Sequence, residues 1–231
     1  MDKRYECNIG ALTEAEQVLI NSKKAVIAGS GGLGCYIAEF LARVGIGHLT
    51  VIDGDVFTTS NLNRQLNSLE ENLGKNKAAE AKNRLNLVNS ALSVTAIEDF
   101  LSEKNAKELL NGHDVIIDAL DNVKTRLLIE KTANILGIPL IHGAVEQWSA
   151  QICTVFPGDF TLSMLYNTEN EKKSHDTAQP PLSVLSFTPA FCASIQASEV
   201  IKVLLNRENL LRKKFLTVDL RDNRFDTIEL E

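Results

Sequence analysis

Four stretches of this chain hold residues whose types and spacing suit phosphate chemistry. Gly29-Ser30-Gly31-Gly32-Leu33-Gly34 fits the pattern G-x-G-x-x-G. In such a loop the first glycine permits a tight turn, the second lets backbone approach phosphate, and the third lets a helix pack against a strand. The helix that follows offers unpaired N–H groups and a partial positive charge to phosphate oxygens. Asp53 stands nineteen residues after Gly34, where a carboxylate accepts hydrogen bonds from ribose hydroxyls. Asp55 follows on the same segment. These residues alone suit a nicotinamide or flavin dinucleotide as well as a nucleoside triphosphate.

Two further groups shift that balance. Thr59-Ser60-Asn61-Leu62-Asn63-Arg64-Gln65 concentrates one cation with several amide donors, and Lys77 follows. A dinucleotide's pyrophosphate is handled mainly by backbone N–H groups, so two added cations point to a triphosphate. Cations aimed at a developing phosphorane supply the electrostatic stabilisation that phosphate chemistry needs. Asp121 and Asn122 come after another apolar run. A carboxylate beside phosphates suits Mg2+, a hard cation that prefers oxygen ligands. Asp121 also suits the N-cap of a helix opening at Thr125 and Arg126. The expected catalytic set is Arg64, Lys77 and Asp121. The expected nucleotide contacts add Gly29, Gly31, Gly32, Gly34, Asp53, Asp55, Asn61, Gln65 and Asn122.

The elements that must position these residues alternate strand and helix. Residues 11–22 read as a helix capped by Thr13, with Glu16 completing a capping box. Residues 24–28 (KAVIA) read as a buried strand, 33–44 as a helix with apolar residues at helical spacing, and 49–53 (LTVID) as the next strand. Helices are predicted over 75–89, 102–110 and 125–136, and strands over 93–97, 115–118, 139–142 and 151–156. Residues 158–187 read as a mobile crossover loop, polar at its centre (NTENEKKSHDTAQPP, 167–181) and closed by two prolines. A helix from Thr188 to about Leu205 follows. Residues 213–231 read as a β-hairpin around Asp222-Asn223. The expected fold is α/β: a Rossmann-like, mostly parallel sheet that continues into an antiparallel half, in one domain spanning 1–231.

Composition excludes several classes of function. The chain has 231 residues and a formal net charge of −6, which argues against a broad nucleic-acid-binding face. No apolar run reaches the roughly 18 residues of a membrane span, and the charged start MDKRYECNIG lacks the apolar stretch of a secretory signal. The four cysteines, Cys7, Cys35, Cys153 and Cys192, form no C-x-x-C pair. That argues against a zinc site and a disulfide scaffold and for reduced thiols in the cytoplasm.

GSGGLG, VIDGD, SNLNRQ, GKNK, DALDNVKTR and PLIHGAVEQWSAQICTVFPG occur in that order. The ordered set, over about residues 4–205, resembles the ThiF/MoeB/HesA family, the prokaryotic relatives of ubiquitin-activating enzymes. The resemblance implies an eight-stranded α/β fold, a homodimer, and ATP with Mg2+. It implies adenylation of the C-terminal Gly-Gly carboxylate of a ubiquitin-like sulfur carrier of the ThiS or MoaD type, with release of pyrophosphate. The product would then be sulfurated to a thiocarboxylate for thiamine, molybdopterin or a related compound. By matching motifs, Gly29, Gly31, Gly32 and Gly34 correspond to the nucleotide loop, and Asp53 to the ribose ligand. Asn61, Arg64, Gln65 and Lys77 correspond to the triphosphate contacts, and Asp121 to the Mg2+ ligand.

Three features depart from that pattern. The paired zinc cysteines of many relatives are missing, so no zinc is expected. Residues 158–190 contain no cysteine, which argues against a thioester step. The family's R-Y-x-R element reads Arg4-Tyr5-Glu6-Cys7 here, with Cys7 where the second arginine would stand. Two alternatives follow: a relative of the dehydratase that cyclises threonylcarbamoyladenosine on tRNA, or a catalytically degenerate nucleotide-binding scaffold.

Overall fold

The computed structural model describes residues 2–166 and 183–230. Its centre is an eight-stranded sheet of order β3-β2-β1-β4-β5-β6-β7-β8. The first five strands are β1 (Lys24–Ala28), β2 (His48–Ile52), β3 (Ser93–Ile97), β4 (Val115–Asp118) and β5 (Leu140–Glu146), and they pair in parallel. The others, β6 (Ser149–Val155), β7 (Lys214–Asp219) and β8 (Arg224–Glu229), continue antiparallel from β5. The parallel-to-antiparallel order and the C-terminal hairpin are those expected from the sequence.

Alternation along the strands divides the core. In β1, Ala25 and Ile27 join one apolar cluster while Val26 and Ala28 join the other. A strand buried on both faces needs helices on both, which explains the unbroken run AVIA. The first cluster holds residues of α1 (Glu14–Asn21), α2 (Gly34–Val44), α3 (Lys77–Val88) and α7 (Phe187–Leu204). The second holds residues of α4 (Ala106–Leu110), α5 (Val123–Leu136) and α6 (Thr161–Leu165).

Several boundaries differ from the sequence expectation, each for a local reason. The expected capping box at α1 is present, with Thr13 and Glu16 bonded reciprocally. Helix α4 begins at Ala106 because Asn105 Oδ1 accepts from the Ser102 N–H and hydroxyl, holding the preceding residues in a turn that competes with helix. Strand β5 continues to Glu146 because its partner β6 pairs with it down to Glu146↔Ser149. The N-cap of α5 is Asn122, whose side chain accepts from Thr125 N, and not Asp121. A 3-10 turn over Lys3–Asn8, with Tyr5 buried, has no counterpart in the sequence reading.

Part of the segment read as a crossover loop, 158–187, carries regular structure where it is described. Residues 161–165 form α6, whose first backbone N–H groups at Leu162 and Ser163 donate to the buried carboxylate of Glu130. Near the far end, Gln147 bridges to Val184. The polar centre, 167–181, lies outside the described residues.

Candidate active site

The strand order reverses between β1 and β4, and in open α/β sheets ligands bind in the crevice at the carboxyl ends of such strands. A cavity of about 1100 Å3 lies there. Its wall includes Gly29, Gly31, Gly32, Asp53, Asp55, Arg64, Gln65, Lys77, Asp121 and Asn122. Ten of the twelve residues expected from the sequence thus meet around one space. Gly34 and Asn61 do not line it. Asn61 is buried, and its Oδ1 accepts from Thr58 N, capping its own turn. Gly34 sits where α2 crosses the loop: a Cβ there would lie 1.9 Å from Gly29 O.

Contacts leave no room for a side chain at two positions of the glycine loop, Gly29 and Gly34. Gly29 has φ +98°, and a Cβ on it would lie 2.6 Å from Ala119 O on the loop after β4. At Gly31 the nearest atom to a Cβ is Gln65 Nε2, at 3.5 Å, so backbone faces the cavity there. Asp53 supports the loop, because its Oδ2 accepts from Ser30 N at 2.6 Å and its Oδ1 from Asp55 N at 2.8 Å. Burial raises the Asp53 carboxyl above the ordinary aspartate value, against those two hydrogen bonds and the charge of Lys77.

The two cations are held by neighbours. Arg64 Nη1 donates to Ser60 O and to Asn63 Oδ1, both at 2.8 Å. Lys77 is buried, and its Nζ pairs with Asp55 Oδ2 at 3.0 Å. Asn76, the N-cap of α3, donates to Asp53 O and Asp55 O and so ties the helix start to the strand end. The arrangement fits a nucleoside triphosphate: bare backbone at Gly31 and Gly32, and two cations beside it. Ser30 Oγ, a hydroxyl that can donate, is also buried without a hydrogen-bond partner among the described residues, a condition protein interiors normally avoid. It fits Mg2+ at Asp121 as well. That exposed carboxylate has no hydrogen-bond or ion-pair partner among the described residues.

Sequence reasoning missed a second polar group, on the side of the cavity nearer the antiparallel strands. Asp118 ends β4 and pairs in register with His142 on β5. Asp118 Oδ2 lies 2.6 Å from His142 Nδ1, and both side chains are fully buried. His142 Nε2 lies 3.4 Å from the Tyr166 hydroxyl. That hydroxyl also accepts from Arg126 Nη1 and Gln151 Nε2, each at 3.2 Å. Arg126, Gln151 and Tyr166 line the cavity; Asp118 and His142 stand behind them. The available signal was positional, since Asp118 and His142 each close an apolar run predicted as a buried strand.

None of the four cysteines lines the cavity. Cys35, Cys153 and Cys192 are buried and Cys7 is exposed, all as free thiols. Burial pushes the Cys35 thiol up to about 11 and raises Cys153 and Cys192 as well.

A Rossmann-type sheet with a glycine loop at its switch point, flanked by Arg64, Lys77 and Asp121, defines a nucleotide-site α/β protein. Residues 5–231 match the ThiF family, and the chain belongs to it. It is 34% identical over 207 residues to the SAMP-activating enzyme E1 of Haloferax volcanii, covering 90% of this chain and 76% of that one. It is 32% identical over 214 residues to the sulfur carrier protein adenylyltransferase of Thermus thermophilus, covering 90% and 79%. It is 31% identical over 220 residues to the adenylyltransferase and sulfurtransferase MOCS3 of Dictyostelium discoideum. There it covers 93% of this chain but spans only 51% of that relative. Among solved structures, E. coli MccB with AMPCPP and MccA superposes with a TM-score of 0.87 at 22% identity, covering 98% of this chain and 71% of that one. PaaA superposes with a TM-score of 0.83 at 23% identity, covering 99% and 82%.

Proposed function

We propose that this chain is an adenylyltransferase that activates the C-terminal glycine carboxylate of a ubiquitin-like sulfur-carrier protein with ATP. The observation that carries the proposal is a single cavity. It joins a bare glycine loop, two cations and a free carboxylate to a polar wall on the antiparallel half of the sheet. The names of the relatives from H. volcanii and T. thermophilus supply the substrate class.

In this reaction a carboxylate oxygen attacks the α-phosphorus. The bond from that phosphorus to the bridging oxygen of the β-phosphate breaks. Pyrophosphate leaves with the electron pair, and an acyl-adenylate remains. The backbone of Gly31 and Gly32 and the N-terminus of α2 bind the phosphates. Asp53 receives the ribose hydroxyls while holding the loop through Ser30. Arg64 and Lys77 stabilise charge that develops on the transferring phosphoryl group. Asp121 would hold Mg2+, which when bound would neutralise phosphate charge. Asp55 keeps Lys77 in place until phosphate competes for it. The chain works as a homodimer in the cytoplasm, without zinc and without a cysteine thioester. The support for the last point is the burial of Cys35, Cys153 and Cys192, since a reactive cysteine needs an accessible, low-pKa thiol.

Exchange of labelled pyrophosphate into ATP, measured with candidate Gly-Gly-tailed carriers, tests the proposal. Exchange that depends on the carrier is the expected result. ATP binding with no exchange for any carrier would instead favour a non-catalytic nucleotide-binding protein. Cys7 motivates that second reading: it stands exposed in the N-terminal 3-10 turn, where the family pattern carries an arginine. Activity restored by Cys7→Arg would tie the defect to that one cation.

A further inference from the structure

The cavity has two ends, and Arg64 and Lys77 serve only one of them. They lie beside the glycine loop, held by Ser60, Asn63 and Asp55. On the adenylation reading the substrate's carboxylate, which accepts the adenylyl group, approaches the nucleotide from the other end, over the antiparallel strands. Arg126 lines the cavity there with Gln151 and Tyr166. Resting on the adenylation reading above, we propose that Arg126 is the cation that receives the substrate's terminal carboxylate, and that Asp118, His142 and Tyr166 are positioning residues that fix its guanidinium.

The hydrogen-bond geometry carries this assignment. A carboxylate only accepts, so Asp118 takes the Nδ1 proton of His142, and the neutral imidazole then accepts at Nε2 from the Tyr166 hydroxyl. With its proton committed, the Tyr166 oxygen accepts from Arg126 Nη1 and Gln151 Nε2. Arg126 Nη2 donates to Leu120 O at 2.5 Å, and its Cζ lies 5.9 Å from the Tyr166 ring centre. The guanidinium is therefore held by Leu120 O after β4 and by Tyr166 at the end of α6, with Asp118 of β4 beside it and His142 of β5 fixing the tyrosine hydroxyl.

It is held but not satisfied. A guanidinium has five N–H donors, and among the described residues two are used, on Tyr166 and Leu120. Arg126 is only 9% exposed, and its Nε is buried with no hydrogen-bond partner. The nearest carboxylate oxygen, on Asp118, is 3.7 Å from Nε. A buried donor left without a partner is costly, so such a group is primed to bind an acceptor. A planar fork with spare donors at a cavity wall matches a carboxylate, which it binds through paired N–H groups. The other cation on this side, Arg224, lies on the exposed edge strand β8 with Asp226 close by in sequence. An exposed cation binds a carboxylate weakly.

The test uses a labelled synthetic peptide ending in Gly-Gly, prepared with a free carboxylate and as the C-terminal amide. Binding of each is followed by fluorescence anisotropy with α,β-methylene ATP present. The wild-type protein should prefer the carboxylate by about tenfold or more, the size of one hydrogen bond between charged groups. Arg126→Gln should erase that preference without changing affinity for the ATP analogue. Tyr166→Phe should reduce it while leaving binding of the amide unchanged, whereas a purely structural role would weaken both peptides alike. Should Arg126→Gln fail to fold, the Tyr166→Phe comparison decides. A preference that survives in these variants overturns the assignment. Loss of the ATP analogue in Arg126→Gln also overturns it, and would place the arginine on phosphate. Binding of neither peptide by the wild-type protein, with the ATP analogue bound, would overturn the adenylation reading itself.

Discussion

Arg64 and Asp53 make opposite demands on their surroundings. Arg64 is partly exposed and bonded to neutral oxygens, so no carboxylate among the described residues neutralises its charge. Arg64→Ala should lower turnover far more than ATP affinity, by roughly 2–4 kcal/mol in the barrier. Steady-state turnover beside equilibrium ATP binding checks this, and unchanged turnover would remove Arg64 from the mechanism. Asp53 is buried and its pKa is raised. Between the unfolded and folded pKa values the folded protein holds the extra proton. The Asp53 contribution to stability is therefore present at low pH and is lost as pH rises through the folded pKa. Denaturation of wild type and Asp53→Asn across acid to neutral pH should show the wild type gaining on the variant as pH falls. At this scale the glycine loop, Asp53, Arg64, Lys77 and Asp121 were legible in the sequence because motif chemistry is local in the chain. The group around Arg126 was not. Its members come from five elements, and each alone reads as a strand, helix or loop residue.

Helices and strands set how far such side chains can move. Gly31 and Gly34 belong to one motif but do different work. Gly31→Ala meets nothing closer than Gln65 Nε2 at 3.5 Å, so it should fold normally and lose ATP affinity by blocking bare backbone. Gly34→Ala places a methyl 1.9 Å from Gly29 O and should destabilise the fold by more than the usual ~1–3 kcal/mol of overpacking. Thermal unfolding and ATP titration of both variants separate the two cases. Asn76→Ala should cost about 1 kcal/mol as a lost N-cap, with added loss of ATP affinity because Asn76 also ties α3 to the Asp53 and Asp55 backbone. Caps and apolar periodicity made most elements readable from the sequence. The exceptions were settled by tertiary partners. Strand β5 is extended by its pairing with β6. Helix α6 is pinned by Glu130, which lies over thirty residues away in the chain.

Across the whole molecule, the sheet keeps nucleotide chemistry at its parallel half and offers a polar wall at its antiparallel half. None of its cysteines lines the cavity. Three are buried and only Cys7 is exposed, so the native protein should react with a thiol reagent at one site and the denatured protein at four. Rapid reaction at a second native site would reopen the thioester question. The parallel pairing of the first strands was legible because the βαβ pattern admits few topologies. The second half of the cavity was not, since antiparallel strands carry no motif that names a substrate. The most direct test of the central claim is the intact mass of a Gly-Gly-tailed carrier after incubation with this protein and MgATP. The account predicts a carrier bearing an adenylyl group at its C-terminal glycine, absent when that carboxylate is an amide. An unmodified carrier, with ATP bound to the protein, would contradict it.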